Sequence, residues 1–179
     1  NIKALNIFKE VKSTTTKGDD VNTKIINIEV EEKPTGEITL GAGVGSEGST
    51  VGFSVSENNF LGKGIKLGSA LRLSEDTIRG NFSINNPNFN YSNKALITTV
   101  ESTKIDKLTD NGYETTKTGF SLGTSFEQYE NTFIRPSIST YIEDLTTTST
   151  ASTNLKKQSG NYFETKFNYS IDFDNRNQR

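Results

Sequence analysis

The chain has 179 residues, with 20 Lys+Arg against 22 Asp+Glu, a net charge of −2, 31% hydrophobic residues and no Cys, His, Met or Trp. Near-balanced charge speaks against a nucleic-acid-binding stripe or an acidic tail. The lack of Cys excludes disulfides and thiol chemistry, and the lack of His removes the commonest general base and metal ligand.

Length bounds the chain to one domain, or one domain and a piece of another. No apolar run approaches the roughly 20 residues that a membrane-spanning helix needs. The opening NIKALNIFKEVKSTT reads as the last turn of a helix, carrying Ile2 and Leu5, followed by a strand opened by Phe8 and Val11. KGDD is a turn signal, and TKIINIEVEEK, with Ile25, Ile26, Ile28 and Val30, reads as a second strand. Lys33-Pro34-Thr35-Gly36 ends the pair, because Pro and Gly interrupt a ladder. A small α+β unit over residues 1–34 is expected, finishing on this hairpin. Asn1 enters mid-pattern and DFDNRNQR stops mid-turn, so the sequence reads as a piece of a longer chain whose leader lies outside it.

From residue 35 to 179 the chain is a series of two-residue alternations. In GEITLGAGVGSE, Ile38, Leu40, Ala42 and Val44 share one face, and Glu37, Thr39, Gly41, Gly43 and Gly45 the other. In STVGFSVSE, Val51, Phe53 and Val55 oppose Thr50, Gly52, Ser54 and Ser56. GIKLGSALRLSE and DTIRGNFSIN repeat the scheme, with Lys66, Arg72 and Arg79 on their polar faces. KALITTVES, TKTGFSLGTSF and TFIRPSISTYIE follow. YFETKFNYSIDFD then sets Phe163, Phe167, Tyr169, Ile171 and Phe173 against Glu164, Lys166, Asn168, Ser170 and Asp172. Eight strands with one apolar and one polar face are expected.

A soluble β-sandwich would bury the apolar faces against a second sheet. Two features favour a membrane barrel instead. The alternating runs extend to about 9–12 residues, the length of a tilted membrane-crossing strand rather than the usual soluble strand of about 5–6. The polar faces carry full charges and repeated glycines, as a wet, curved lumen allows. The connections add an asymmetry. NNFLGKG, NPNFNYSNK, the QYEN region and DFDNRNQR bring aromatics to one end of the strands, whereas KIDKLTDNGYE and EDLTTTSTASTNLKKQSGN are long polar loops at the other. In ENNFLGKG, Phe60 and Leu61 then stand at interface depth, Gly62 and Gly64 permit a sharp turn, and Lys63 stays in water.

These residues resemble the junction and barrel start of BamA-type outer-membrane assembly factors. Val30 to Gly36 is similar to the family's V-x-E-K-x-x-G junction after its last polypeptide-transport-associated (POTRA) domain. Gly41 to Glu47 resembles its glycine-rich first strand, Asn59 to Gly64 its N-[FW]-L-G-x-G turn, and Asn86, Pro87, Asn88 and Phe89 its N-P-x-[FY] turn. FDNR, Phe173 to Arg176, looks like the end of its eighth strand. The resemblance implies the first half of an antiparallel up-and-down barrel of about sixteen strands, behind the hairpin of a POTRA domain. It implies insertion and folding of outer-membrane proteins, with the first-strand edge, Glu37, Ile38, Thr39, Leu40, Gly41, Ala42, Gly43, Val44, Gly45 and Ser46, pairing with the last strand of an incoming substrate. Asn59, Phe60, Leu61, Gly62, Gly64, Asn86, Pro87 and Phe89 are implied to form periplasmic turns. The implied partners are unfolded outer-membrane proteins, outer-membrane lipid and accessory lipoproteins, with no nucleic acid and no cofactor. Residues 1–34 are implied to be periplasmic. A bendable first strand fits Gly41, Gly43 and Gly45; packing in a crowded wall fits them equally.

Alternative functions are a two-partner secretion exporter or translocation-assembly module of the same superfamily, a passive porin, and a soluble β-sandwich binding module. No catalytic group stands out. Gly43-x-Gly45-x-x-Gly48 has the dinucleotide spacing, but a strand follows where a helix is needed. Asp172, Asp174 and Asn175 lack the spacing of a calcium cage. Asn81-Phe-Ser83, Asn90-Tyr-Ser92 and Asn168-Tyr-Ser170 are glycosylation strings without meaning in a bacterial host. Glu57, Glu101 and Glu143 lie on separate strands with no acid–base spacing. The protein is expected not to be an enzyme.

Overall fold

The computed structural model describes residues 7–18, 20, 23–45 and 48–175. It divides into two compact units, Asn1–Gly36 and Glu37–Arg179. In the first, β1 (Phe8–Lys17) pairs antiparallel with β2 (Lys24–Glu32). The register sets Val11 opposite Val30, Ser13 opposite Ile28 and Thr15 opposite Ile26, so Val11, Val30, Ile28 and Ile26 share one face and Ile25 lies on the other. Lys9 and Glu31 pair at 2.7 Å across the hairpin. The helical turn expected at Ile2 and Leu5 lies outside the described residues.

The second unit is an eight-stranded antiparallel sheet in which each strand neighbours the next in sequence. Its strands are β3 (Gly36–Gly45), β4 (Gly48–Phe60), β5 (Ile65–Ser74), β6 (Thr77–Asn86), β7 (Ala95–Lys107), β8 (Tyr113–Tyr129), β9 (Thr132–Thr147) and β10 (Gly160–Phe173). The edges are β3 and β10. All eight expected strands are present. Five of them exceed the sequence reading, with β4, β7, β8, β9 and β10 spanning 13, 13, 17, 16 and 14 residues.

The two long polar loops were therefore read too generously. Lys104–Lys107 belongs to β7, Tyr113 and Glu114 to β8, and Glu143–Thr147 to β9. Apart from Ile105, Tyr113 and Leu145 these extensions are polar on both faces, so no alternation marks them. Their β-branched threonines nevertheless suit an extended ladder. What remains of the longer loop is ordered. A short helix, α1 (Thr153–Lys157), starts at Ser152, whose hydroxyl accepts from the Leu155 amide at 3.3 Å. The Thr148 amide donates to the Gly112 carbonyl at 2.8 Å, tying this loop to the β7–β8 turn.

Pro136 sits inside β9, between two neighbouring strands. The β8–β9 ladder has no pairing between Gly123↔Ser137 and Phe126↔Ile134, which is the gap expected where a residue has no amide hydrogen. Among the described residues, the side chains buried are those of Leu145, Ala151 and Ser139. Among the described residues of this unit, no second layer covers the apolar face of the sheet.

Candidate functional site

The two faces of the sheet are buried in the reverse order of a soluble protein. Along β4, Val51, Phe53 and Val55 are 48, 47 and 38% exposed, while Gly52, Ser54 and Ser56 between them are half-buried. The polar side chains converge. Tyr141 on β9 donates to Glu101 on β7 at 2.9 Å, reaching across β8. Lys117 on β8 meets Glu164 on β10 at 3.2 Å, reaching across β9. Strands two apart lie about 9–10 Å from each other, so such bonds require side chains leaning together on a hollow face. The polar face is therefore the inner one.

That inner face carries a network which strand spacing alone did not reveal. Lys117 lies between Glu143 at 3.4 Å and Glu164 at 3.2 Å, and Lys166 meets Glu164 at 3.1 Å. The Thr115 hydroxyl donates to Glu143 at 3.2 Å. The Lys117 and Lys166 ammonium groups lie 4.9 and 5.5 Å from the Tyr141 ring centre. Toward the other end, Arg135 pairs with Asp172, whose carboxylate also accepts from Ser170. Glu101 and Glu143, which the sequence showed only as carboxylates on separate strands, thus face the same hollow, each with its own partner. The available signal was strand register, which the sequence does not state.

The outer face has an apolar belt with a polar border. Along β8 it runs Leu122, Phe120, then Thr118, Thr116 and Glu114. The Thr118 and Ser102 hydroxyls bond at 2.8 Å, and Lys104 and Glu114 pair at 2.8 Å, above the last apolar side chains. A belt of this kind, ending in paired polar groups, suits a hydrocarbon layer.

β3 forms one edge of the sheet, with β4 as its neighbour. Glu37 to Gly45 lie on it, and Ser46 lies outside the described residues. Ile38, Leu40 and Val44 are 72, 74 and 87% exposed. No atom comes within 4 Å of where a side chain at Gly41, Gly43 or Gly45 would begin. A hollow of about 580 Å³ is bounded by residues of β3, β4 and β5.

The turn residues are held by their own side chains. In Asn59–Gly64, the Asn59 carboxamide oxygen accepts from the Gly64 amide at 2.7 Å, and Glu57 accepts from the Asn59 amide at 2.7 Å. Leu61, Gly62 and Gly64 all have positive φ, of 58°, 68° and 65°. Phe60 is the last residue of β4, and Glu57 is a turn-building residue that the sequence reading missed. In the second turn, Asn86 ends β6 and Pro87 stops the ladder. Asn86 accepts from the Asn88 amide at 3.2 Å, Asn88 accepts from the Asn93 amide at 2.9 Å, and Phe89 opens a single 3₁₀ turn.

The family model of the Omp85 superfamily domain matches residues 59–179. The chain belongs to the Omp85 superfamily. The Omp85 match covers the inner-face network and both turns after β4 and β6. No curated protein matches the sequence. Among solved structures, the crystal structure of BamA from Haemophilus ducreyi lacking POTRA domains 1–3 superposes with a TM-score of 0.75 at 20% identity, over 99% of this chain and 37% of that one. At that identity the likeness is one of fold, and the chain spans 37% of the length of its structural neighbour. The open eight-stranded sheet is thus half of an Omp85-type barrel, with its polar face toward the lumen and its apolar belt outward.

Proposed function

We propose that this chain is the junction and N-terminal barrel half of an outer-membrane protein that inserts and folds other β-barrel proteins. Residues 1–34 would be the end of a POTRA domain in the periplasm, and residues 35–179 the first half of the barrel. The single observation that carries the reading is β3: a strand at the sheet edge, with exposed side chains and bare glycines on its inner face. Such an edge offers a row of main-chain donors and acceptors that pair with an incoming strand regardless of its sequence. Membership of the Omp85 superfamily and the fold shared with a BamA support it.

On this reading the turns Asn59–Gly64 and Asn86–Phe89 face the periplasm, and the partners are unfolded outer-membrane proteins, outer-membrane lipid and accessory lipoproteins. The test is disulfide trapping in the full-length protein. A cysteine replacing Thr39 or Gly41 is expected to cross-link to a cysteine in the last strand of a stalled substrate. Absence of any cross-link along β3 would remove the edge-pairing mechanism and leave transport through the lumen, as in a secretion exporter, as the better reading.

A further inference from the structure

Arg72 and Arg79 stand directly opposite each other on β5 and β6. Both point to the lumen face, because their ladder row continues through Gly52 on β4 to Thr103 and Lys117 on β7 and β8. Neither guanidinium has an ion pair, hydrogen bond or ring contact among the described residues. Like charges set directly opposite across a ladder repel. The carboxylates of the neighbouring lumen wall are already engaged: Glu101 by the Tyr141 hydroxyl at 2.9 Å, Glu143 by Lys117 at 3.4 Å and Glu164 by Lys166 at 3.1 Å. Among the described residues, the charges of one lumen wall pair with one another, whereas on the other Arg72 and Arg79, like Lys66 farther along β5, have no ion-pair partner.

The surroundings of the pair are bare. Gly52 lies opposite Arg72, and nothing comes within 4 Å of where its side chain would begin. Ala70 and Ser54 form the next row, and with Arg72 they line the 580 Å³ hollow beside β3. Small residues over this area leave room for a polypeptide backbone to approach the sheet.

We propose that the Arg72–Arg79 pair, with its floor of small side chains, is a binding site for a carboxylate side chain on an acidic peptide segment lying in the lumen. Two guanidinium forks present parallel donors that match the two oxygens of a carboxylate. A lipid phosphate is disfavoured, because acyl chains occupy the belt on the opposite face of the sheet. The far wall of a barrel with about sixteen strands is also disfavoured, since barrels of that size enclose an aqueous channel too wide for side chains to cross. The carboxylate must therefore arrive on a segment that enters the lumen. Two residues on each strand, Leu73 and Ser74 on β5 and Thr77 and Ile78 on β6, separate the pair from the β5–β6 turn, so a segment entering from the loop end meets it near the rim. This inference depends on the barrel geometry and not on assembly activity.

The test is a photo-cross-linking amino acid at Ala70 in the full-length protein, with adducts mapped by mass spectrometry. The expected result is an adduct to a peptide with Asp or Glu within a few residues of the linked position. Its yield should fall about tenfold in Arg72→Gln/Arg79→Gln, the loss expected for charge-assisted bonds, and survive in part in Arg72→Lys/Arg79→Lys. An unchanged heat-induced gel shift of both double variants shows that the barrel still folds. The proposal is overturned by an adduct insensitive to the Gln pair, by an adduct to a peptide without carboxylates, or by no peptide adduct. Titration with inorganic phosphate supplies the remaining arm: saturable, arginine-dependent binding of phosphate with no peptide adduct makes the pair a free-anion site and overturns the proposal.

Discussion

The Tyr141 ring lies against Gly119 on the neighbouring strand, so that a side chain at 119 would overlap the ring. The ring covers the exposed backbone of a strand glycine, and its hydroxyl reaches on to Glu101 at 2.9 Å. Gly119→Val is expected to destabilise the full-length protein by about 1–3 kcal/mol through overpacking. Combined with Tyr141→Ala, which removes the obstructing ring, it should cost less than the sum of the single changes. Urea unfolding of the four proteins in detergent measures the coupling, and strict additivity would show that the contact contributes nothing.

Lys117 faces Glu143 and Glu164 at once. Lys117→Met removes the cation between two carboxylates, whereas Lys166→Met leaves Lys117 still bridging them. Because these groups are partly exposed, losses of about 0.2–1 kcal/mol are expected, larger for Lys117 and shrinking as salt screens the repulsion. Equal effects of the two changes at every ionic strength would refute the bridging role.

Leu61 adopts a φ of 58°, a left-handed conformation that costs an ordinary L-residue about 1–2 kcal/mol. Leu61→Gly is expected to relieve part of that strain. Asn59→Ala, which deprives the Gly64 amide of its 2.7 Å acceptor, should destabilise the turn by about 0.5–1.5 kcal/mol. Opposite signs for the two variants in the same unfolding experiment are the required outcome.

A Cβ at Gly43 meets no neighbouring atom within 4 Å, so Gly43→Val is expected to fold normally. On the edge-pairing reading it stiffens β3 and slows assembly of a test barrel protein. Normal folding with normal assembly would leave the glycines of β3 without a mechanistic role.

Phe120 and Phe167 lie on the outer belt. Replacing Phe167 by Arg should cost about 2–4 kcal/mol if it sits near the middle of the hydrocarbon layer, falling to about 0–1 near its edge. Arg in place of Thr116, beyond the apolar side chains, should cost little. Equal tolerance at both positions in a lipid-based unfolding assay would mean that the belt is not in lipid.

Much of this architecture was legible in the chain. Side chains alternate with period two in any strand, so Val51, Phe53 and Val55 against Gly52, Ser54 and Ser56 specified both a strand and its two faces. Pro34, Gly62, Gly64 and Pro87 marked breaks because proline withholds a ladder donor and paired glycines permit the positive φ of a tight turn. The turn residues at Asn59 and Asn86 were visible for the same local reason.

What the chain did not state was which face is inside. Alternation is identical in a sandwich and a barrel; only the hollow on the polar side, with Tyr141 and Lys117 reaching across intervening strands, distinguishes them. Register was equally hidden, because it joins residues far apart in sequence. It sets Arg72 against Arg79 in the β5–β6 hairpin, Gly119 beside Tyr141 in the β8–β9 hairpin, and Lys117 within reach of Glu164, 47 residues away. Local sequence determines what each strand can bury. Only the paired sheet decides which charges meet, since hydrogen-bonded neighbours must share one register along their whole length.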